Sequence, residues 1–536
     1  MNFYTNFFSR GKNIYVRGYK DGKRFSDIFE YSPYLFIPAT PNARTEYRTL
    51  DGKPVEKKYF KTIYEAKDFI KQFKDVSNIE IFGLDNFAYL YIYDNYHGEM
   101  NYDVSRINVI SIDIETMSDD GFPDIETADK EITAITLSRR GEKIVLGCKT
   151  YKPVSDKVTY LKCRDEYEML EKFLRVWQSG RFLPDVITGW NIDLFDLPYI
   201  VNRITNMLGR KEAEKLSPYG ILEEREVTVH GKDVTTYAPA GVAVLDYMRL
   251  YKKYSFKNQE SYALDFISEQ ELGIKKLDYS EHGTLHNLFV NDFQKYIDYN
   301  IRDVELIDRL EEKLKFIEQV IALAYTAKVN YTDTFTTVRP WDIIIHNYLM
   351  DRTIVIPQIK RKSNYESLAG GYVKEPKPGM KKWVVSFDLN SLYPHLIMQY
   401  SISPETYVGK TSIPGVDELV KGGYKYPSHE LTIAANGALF KKDKKGFLPA
   451  LMEKIYDDRS KYKKMMIDAK KKLETVKKDT EEYRTISNEV SRCHNMQIAM
   501  KTLLNSGYGA CANEYFRWFN FDIAEAITVS GQDRKS

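Results

Sequence analysis

Cysteine is scarce: the 536 residues contain four, Cys148, Cys163, Cys493 and Cys511. None stands in a C-x-x-C spacing, so neither a zinc ribbon nor a disulfide framework is indicated, and a reducing compartment is expected. Long apolar runs are missing as well. No window approaches the roughly 18 uncharged apolar residues of a membrane-spanning helix, so no membrane partner is expected. The start, Met1-Asn-Phe-Tyr-Thr-Asn-Phe-Phe-Ser-Arg10, lacks a basic segment followed by an apolar core, so no secretory signal is expected. Charge of one sign is not in excess: 78 Lys and Arg face 76 Asp and Glu, a net of +2. That excludes a global polycation. It does not exclude a nucleic-acid binder, whose cations need only cluster. No internal repeat and no low-complexity segment is present.

What is there is globular in balance, with 43% hydrophobic and 29% charged residues. The length corresponds to about three to five domains. Of the 41 tyrosines, many suit core and strand positions, and some could stack on bases.

Residues 1–107 read as a small α+β domain. Asp21-Gly22 and Asp51-Gly52 are hairpin-type turns, and Ile14/Val16 and Tyr34/Phe36 show the two-residue spacing of half-buried strands. Ile63, Ala66, Ile70 and Phe73 mark one face of a helix. From about 108 to 315, strands alternate with helices, which predicts a mixed α/β domain. Within it, residues 226–237 read as a hairpin turning at Gly231-Lys232. Residues 316–359 are helical and loop-like. A β signal, Trp383-Val-Val-Ser-Phe-Asp388, opens the next region. Residues 447–509 are strongly helical and rich in lysine, with Asp479-Thr480 as the turn between two long antiparallel helices. Charge density alone would make that a solvated hairpin.

Two groups of residues carry chemistry. In Ser111-Ile-Asp-Ile-Glu115, Asp113 and Glu115 leave one strand on the same face. Paired carboxylates there repel each other unless a cation lies between them, and such oxygen ligands suit Mg²⁺ or Mn²⁺. An exposed strand face at a sheet edge explains the pair about as well. Asp196 lies in Gly189-Trp-Asn-Ile-Asp-Leu-Phe-Asp-Leu-Pro198. Tyr299 and Asp303, four apart, share a helix face. Alone, that pair reads as an ordinary surface pair. In the second group, Ser386-Phe-Asp-Leu-Asn-Ser-Leu-Tyr-Pro394 ends a β run. Lys501, Asn505 and Tyr508 share a face of the second charged helix, and Arg459 and Lys463 share one on the first. Facing helices could thus present Arg459, Lys463 and Lys501 to a triphosphate.

Asp113, Glu115, Asp196, Tyr299 and Asp303 resemble, in order and kind, the acids and tyrosine of the DEDDy class of 3′→5′ exonucleases. There, two metals about 3.5–4 Å apart activate water and stabilise the leaving oxygen. The segments around Asp388 and Lys501 resemble motifs A and B of family B DNA polymerases. With the exonuclease motifs, the resemblance runs through essentially the whole chain. Asp119-Asp-Gly-Phe-Pro123 and Ser401-Ile-Ser-Pro-Glu-Thr406 are similar to the T-even-type bacteriophage replicative polymerases.

The resemblance implies an α+β multidomain fold. It runs as an N-terminal domain (1–107), an RNase H-like mixed-sheet exonuclease domain (108–315), a return segment of the N-terminal domain (316–359), a first part of the palm (360–445), two-helix antiparallel fingers (446–513) and the start of a second palm segment (514–536). It implies that Asp388 and the Leu389 carbonyl hold the polymerase metals, two Mg²⁺ per active site with Mn²⁺ as a substitute. Leu389, Ser391, Leu392, Tyr393, Arg459, Lys463, Lys501 and Asn505 would meet the dNTP, with Tyr393 as the gate against ribose. Phe122, Gly370, Gly371 and Tyr508 would meet DNA, Phe122 by stacking on the 3′ end. The hairpin at Gly231-Lys232 would help part primer from template. Leu368 stands where the family usually has an aromatic residue.

The family's third polymerase motif, with a Tyr-Gly-Asp-Thr-Asp core, does not occur in these residues, and Asp457-Asp458 lies beside Arg459 on the first charged helix. Two-metal chemistry needs at least two carboxylates. The expectation is the N-terminal piece of a split or truncated polymerase, a natural split and an incomplete gene being equally compatible. A C-terminal polypeptide would supply the third motif and thumb and the usual sliding-clamp contact. Its partners would be primer–template and single-stranded DNA and dNTPs, in the cytoplasm of an infected bacterium. A stand-alone exonuclease is the alternative, and a non-catalytic single-strand-binding remnant the second alternative.

Overall fold

The computed structural model describes the chain except residues 74–75, 77–78, 118–120, 122, 230, 256, 360–369, 371–377, 390, 415–417, 420–429, 479 and 536. It is a mixed α+β, multidomain chain of two compact units. One comprises residues 1–29, 100–321 and 330–332, the other 30–99, 322–329 and 333–536. Among the described residues no helix is long and apolar enough to cross a membrane.

The first unit is built on a six-stranded mixed sheet. Its strands are β1 (Val109–Thr116), β2 (Ile132–Arg139), β3 (Glu142–Gly147), β4 (Val158–Lys162), β5 (Val186–Thr188) and β6 (Ala243–Val244), in the order β6-β5-β1-β2-β3-β4. β1 runs antiparallel to β2 and parallel to β5. Strict alternation along β1 sends Ile110, Ile112 and Ile114 into one core, with Phe173, Trp177 and Ile200 of the helices Glu166–Gln178 and α1 (Asp196–Leu208). The opposite face of the sheet is covered by a helix of 22 residues, α3 (Phe293–Leu314), through Phe293, Tyr296, Ile297 and Ile301. A shorter helix, α2 (Leu264–Leu272), precedes it and ends at Gly273 in the left-handed conformation. Gly189, just after β5, lies so close to β1 that a Cβ there would come within 2.6 Å of the Ile112 carbonyl oxygen. Leu222–Val229 and Lys232–Pro239 form the hairpin read from the sequence.

The stretch 1–107 is divided between the two units. Its first three strands, Asn2–Arg10, Asn13–Lys20 and Lys23–Glu30, form a sheet. A buried polar knot ties that sheet to the first unit. Arg17 faces Asp185 at 3.3 Å and donates to the carbonyls of Pro184 and Gly241. The Tyr19 hydroxyl donates to Asp185 at 2.7 Å. A buried arginine needs such partners, and they lie more than 160 residues away in sequence, beyond any local signal.

In the second unit, α4 (Phe447–Thr475) and α5 (Glu481–Cys511) form a helical hairpin. Thr480 caps α5, accepting from the Tyr483 N–H, and Glu481 and Glu482 follow in the first turn, where the helix dipole favours anions. Gly507 permits close packing: a Cβ there would meet the Met452 methyl at 2.5 Å and Trp341 at 3.1 Å. Strands Tyr407–Lys410, Leu431–Ile433 and Ala438–Lys441 make a small sheet, with the helix Phe521–Lys535 following α5. Arg517 and Asp342 form a bidentate pair at 2.7 and 2.9 Å, with side chains 1% and 3% exposed. Arg517→Ala would strand a buried carboxylate. It is expected to cost about 3–5 kcal/mol, read as a lower urea midpoint followed by tryptophan fluorescence.

The β signal at Trp383–Asp388 is not realised as a strand. Residues 381–389 carry no regular element, and Trp383 and Phe387 are 97% and 91% exposed. β-propensity is a preference for a pleated, half-buried surface. Among the described residues no strand pairs with this segment, so the propensity finds no ladder to join.

Candidate metal centre

The acids read from the sequence meet on the face of β1 that α3 covers. Asp113 and Glu115 project from that strand, opposite Thr136 and Ala134 of β2. Asp303, one helical turn beyond Tyr299 on α3, points at them. One oxygen each from Asp113, Glu115 and Asp303 fall within 4.8 Å of one another. Asp196, the first residue of α1, joins from the β5 side: its carboxylate accepts the Ile114 N–H at 3.1 Å. Glu115, Asp196, Tyr299 and Asp303 are buried, and Asp113 is half-buried.

Among the described residues one cation answers these acids, and sequence reasoning missed it. The Lys276 ammonium lies 2.5 Å from Asp303 and 3.1 Å from the Tyr299 hydroxyl. Its backbone N–H is anchored by Asp265, in the first turn of α2, at 2.7 Å. Lys276 sits in a loop with no periodicity and beside another lysine, so no spacing marks it.

The electrostatics are those of an over-filled acid site. Burial, then Asp303, Asp196 and Glu115, drives Asp113 well above the carboxylate range. Burial and Asp303 push Glu115 up to about 8. Burial raises Asp196 to about 7, against the Ile114 N–H that favours its charged form. Asp303 is raised by burial in spite of Lys276. Burial also raises Tyr299, which stays a protonated phenol at neutral pH. Burial alone would lower Lys276, but Asp303, Tyr299 and Asp113 outweigh it and keep the ammonium charged. One Asp303 oxygen, Oδ1, is buried without a hydrogen-bond partner. Four crowded carboxylates, one ammonium and an orphaned carboxylate oxygen fit hard divalent cations with oxygen ligands.

The second group is only partly assembled. Tyr393, on the helix Leu392–Tyr400, packs on Tyr508 with ring centroids 5.0 Å apart. Ser391 precedes that helix in the left-handed conformation, and Leu392 is half-buried. Arg459 and Lys463 lie on α4, Lys501 and Asn505 on α5, side by side in the hairpin. The Arg459 Nε is buried without a hydrogen-bond partner. Asp388 and Leu389 lie on the exposed segment, and among the described residues no acid cluster forms around Asp388. The Gly370 carbonyl accepts from Gln532. Phe122, Gly371 and Leu368 lie outside the described residues, as does most of the 368–373 loop.

Residues 85–267 match the family described as DNA polymerase family B, exonuclease domain, and residues 337–534 match DNA polymerase family B. The chain belongs to DNA polymerase family B. It is 32% identical to the DNA-directed DNA polymerase of Escherichia phage RB69 and 31% identical to that of Enterobacteria phage T4, with 99% of the chain aligned to each. It is 27% identical to a DNA polymerase of Pyrococcus glycovorans over 90% of its length. The family B chain spans 65% of the length of the two phage polymerases. Asp113, Glu115 and Asp196 lie within the exonuclease match, and Lys276, Tyr299 and Asp303 follow it; Asp388, α4 and α5 lie within the polymerase match.

Proposed function

We propose that this chain is the exonuclease- and fingers-bearing part of a bacteriophage replicative DNA polymerase, working in the cytoplasm of the infected bacterium. The observation that carries the reading is the convergence of Asp113, Glu115 and Asp303 beside Tyr299, with Asp196 bonded to the strand that bears the first two. In this reading residues 1–107 and 316–359 are N-terminal domain, 108–315 the 3′→5′ exonuclease, 360–445 and 514–536 palm, and 446–513 fingers.

Asp113, Glu115, Asp196 and Asp303 would hold the divalent cations, Mg²⁺ by their oxygen character or Mn²⁺ in its place. When bound, such cations supply Lewis-acid activation of water and neutralise charge on the leaving 3′-oxygen. The residues do the rest. Asp196 is fixed by a backbone N–H of the same strand that carries Asp113 and Glu115, so three carboxylates share one rigid frame. The Lys276 ammonium donates to the Tyr299 oxygen, which leaves the phenol proton free to orient a water or a phosphate oxygen. A 3′ end enters as a single strand, and nucleoside monophosphates leave.

For synthesis, Asp388 and the Leu389 carbonyl would hold the second pair of cations. Arg459, Lys463, Lys501 and Asn505 would grip the triphosphate, Tyr393 would exclude ribose, and Tyr508 would pack by the nascent pair. Phe122, Gly370 and Gly371 would meet DNA. One palm carboxylate is too few for two-metal chemistry. The third motif, the thumb and the clamp contact would come from a C-terminal polypeptide, and the exposed apolar segment around Asp388 is a surface it would cover. The test is a labelled primer–template with Mg²⁺ and four dNTPs, with and without a C-terminal polypeptide carrying that motif. Trimming is expected in both lanes and extension only with the added chain. Extension in neither lane would leave the alternative, an independent exonuclease. That alternative is favoured by one fact: every residue of the acid site lies in one compact unit.

A further inference from the structure

The helix α3 meets the sheet through a polar seam inside an otherwise apolar contact. The Ser111 and Ser138 hydroxyls both donate to Asp308, at 2.7 and 2.6 Å. At the other end, the Tyr296 hydroxyl pairs with that of Thr133, which also reaches the Glu115 carbonyl. In the middle lies Asn300, fully buried, beside Tyr299 and one turn before Asp303. Its Nδ2 donates to Asp113 Oδ2 at 2.7 Å, and its Oδ1 accepts the hydroxyl of Thr136. Thr136 is the cross-strand neighbour of Asp113 and is itself fully buried.

The chemistry fixes the direction of this chain of bonds. An Asp113 ionised to take a cation can only accept, so in that state the amide must turn its NH₂ toward it. The amide oxygen then needs a donor in a closed, dry interface, and Thr136 provides one. An acid in place of Asn300 would add a fifth charge, and a hydrocarbon would leave an oxygen of Asp113 desolvated and unpaired. The amide therefore gives Asp113 one defined rotation about its strand, toward Glu115 and Asp303.

We propose that Asn300, held by Thr136, is the positioning residue that sets Asp113 for cation binding. The inference rests on the exonuclease reading. It is tested on the full chain by direct Mn²⁺ binding, with the paramagnetic resonance signal of free Mn²⁺ as readout. Wild type, Asn300→Leu, Thr136→Val and Asp113→Ala are compared, and the Mn²⁺ concentration for half-maximal trimming is measured alongside. Asn300→Leu is expected to weaken Mn²⁺ binding about 10- to 100-fold. The half-maximal Mn²⁺ concentration rises by the same factor, and most of the rate returns at saturating metal. Thr136→Val, nearly isosteric, shifts both in the same direction by a smaller factor.

Wild-type affinity in Asn300→Leu, beside lost binding in Asp113→Ala, overturns the proposal and leaves the exonuclease reading standing. A rate that stays low at any Mn²⁺ concentration, with unchanged binding, also overturns it. Should Asn300→Leu fail to fold, unchanged Mn²⁺ binding in Thr136→Val does the same. Failure of the exonuclease reading looks different: wild type then binds no Mn²⁺, and Asp113→Ala changes nothing.

Discussion

The chain carrying both Asp113→Ala and Glu115→Ala is expected to lose at least about a thousandfold of its metal-dependent trimming of single-stranded DNA. That factor corresponds to about 4 kcal/mol of transition-state stabilisation, within the several kcal/mol that positioned cations supply. The two acids act on one site with Asp303 and Asp196, so the effects should not add. Asp113→Ala alone should remove most of the rate, and the second change little more. Stability should move the other way. Asp113 and Glu115 are both raised, first by burial and then by neighbouring acids, so their charged forms are disfavoured in the folded state. Removing them relieves that repulsion, and in EDTA above pH 8 the double variant should melt higher than wild type. Gel-resolved trimming and a thermal melt on the same preparations read both effects. Trimming that survives in the pure double variant would sink the assignment of these acids.

The site was legible where the chemistry follows a local period. Asp113 and Glu115 show through the two-residue period of β1, and Tyr299 and Asp303 through the four-residue spacing on α3. The helical hairpin was legible from charge density and from Thr480, which caps α5. Lys276 and Asn300 were not, because what selects them is tertiary. Lys276 is brought to Asp303 by a loop pinned to Asp265, and Asn300 to Asp113 by the packing of α3 on the sheet. The division of residues 1–107 hangs on the Arg17–Asp185 pair, whose members are remote in sequence. Trp383–Asp388 failed for the opposite reason: among the described residues a strong local preference for β structure has nothing to pair with, and the segment lies open. Local propensity decides a helix, which bonds to itself, better than a strand, which needs a neighbour.

Stability and metal binding should depend on pH with opposite sign, and the acid site sets the window. Folding raises Glu115 from an ordinary 4.5 to about 8 and Asp196 from 3.8 to about 7, mainly through burial. Between those limits the folded chain holds protons that the unfolded chain has released. Stability then falls as pH rises, because the unfolded state binds fewer protons than the folded one. This contribution is fully present below about pH 4 and lost as pH passes through 7 and 8. In EDTA the melting temperature should therefore drop between pH 6 and pH 8 and level off above that. A divalent cation must displace those same protons, so its affinity should climb over the same range. Displacing two protons gives up to about a hundredfold per pH unit below 7. The rise in melting temperature on adding Mn²⁺ should be small at pH 6 and large at pH 8.5. In the chain with Asp113→Ala and Glu115→Ala, the Mn²⁺ effect should vanish and the pH slope in EDTA should flatten. A Mn²⁺-induced shift of equal size at both pH values would mean that these carboxylates are not the groups that take up the cation. Lys276 has no part in the slope: Asp303, Tyr299 and Asp113 hold it charged throughout the range. It offsets one of the four acids at every pH tested, and the others are neutralised by protons at pH 6 and by the metal at pH 8.5.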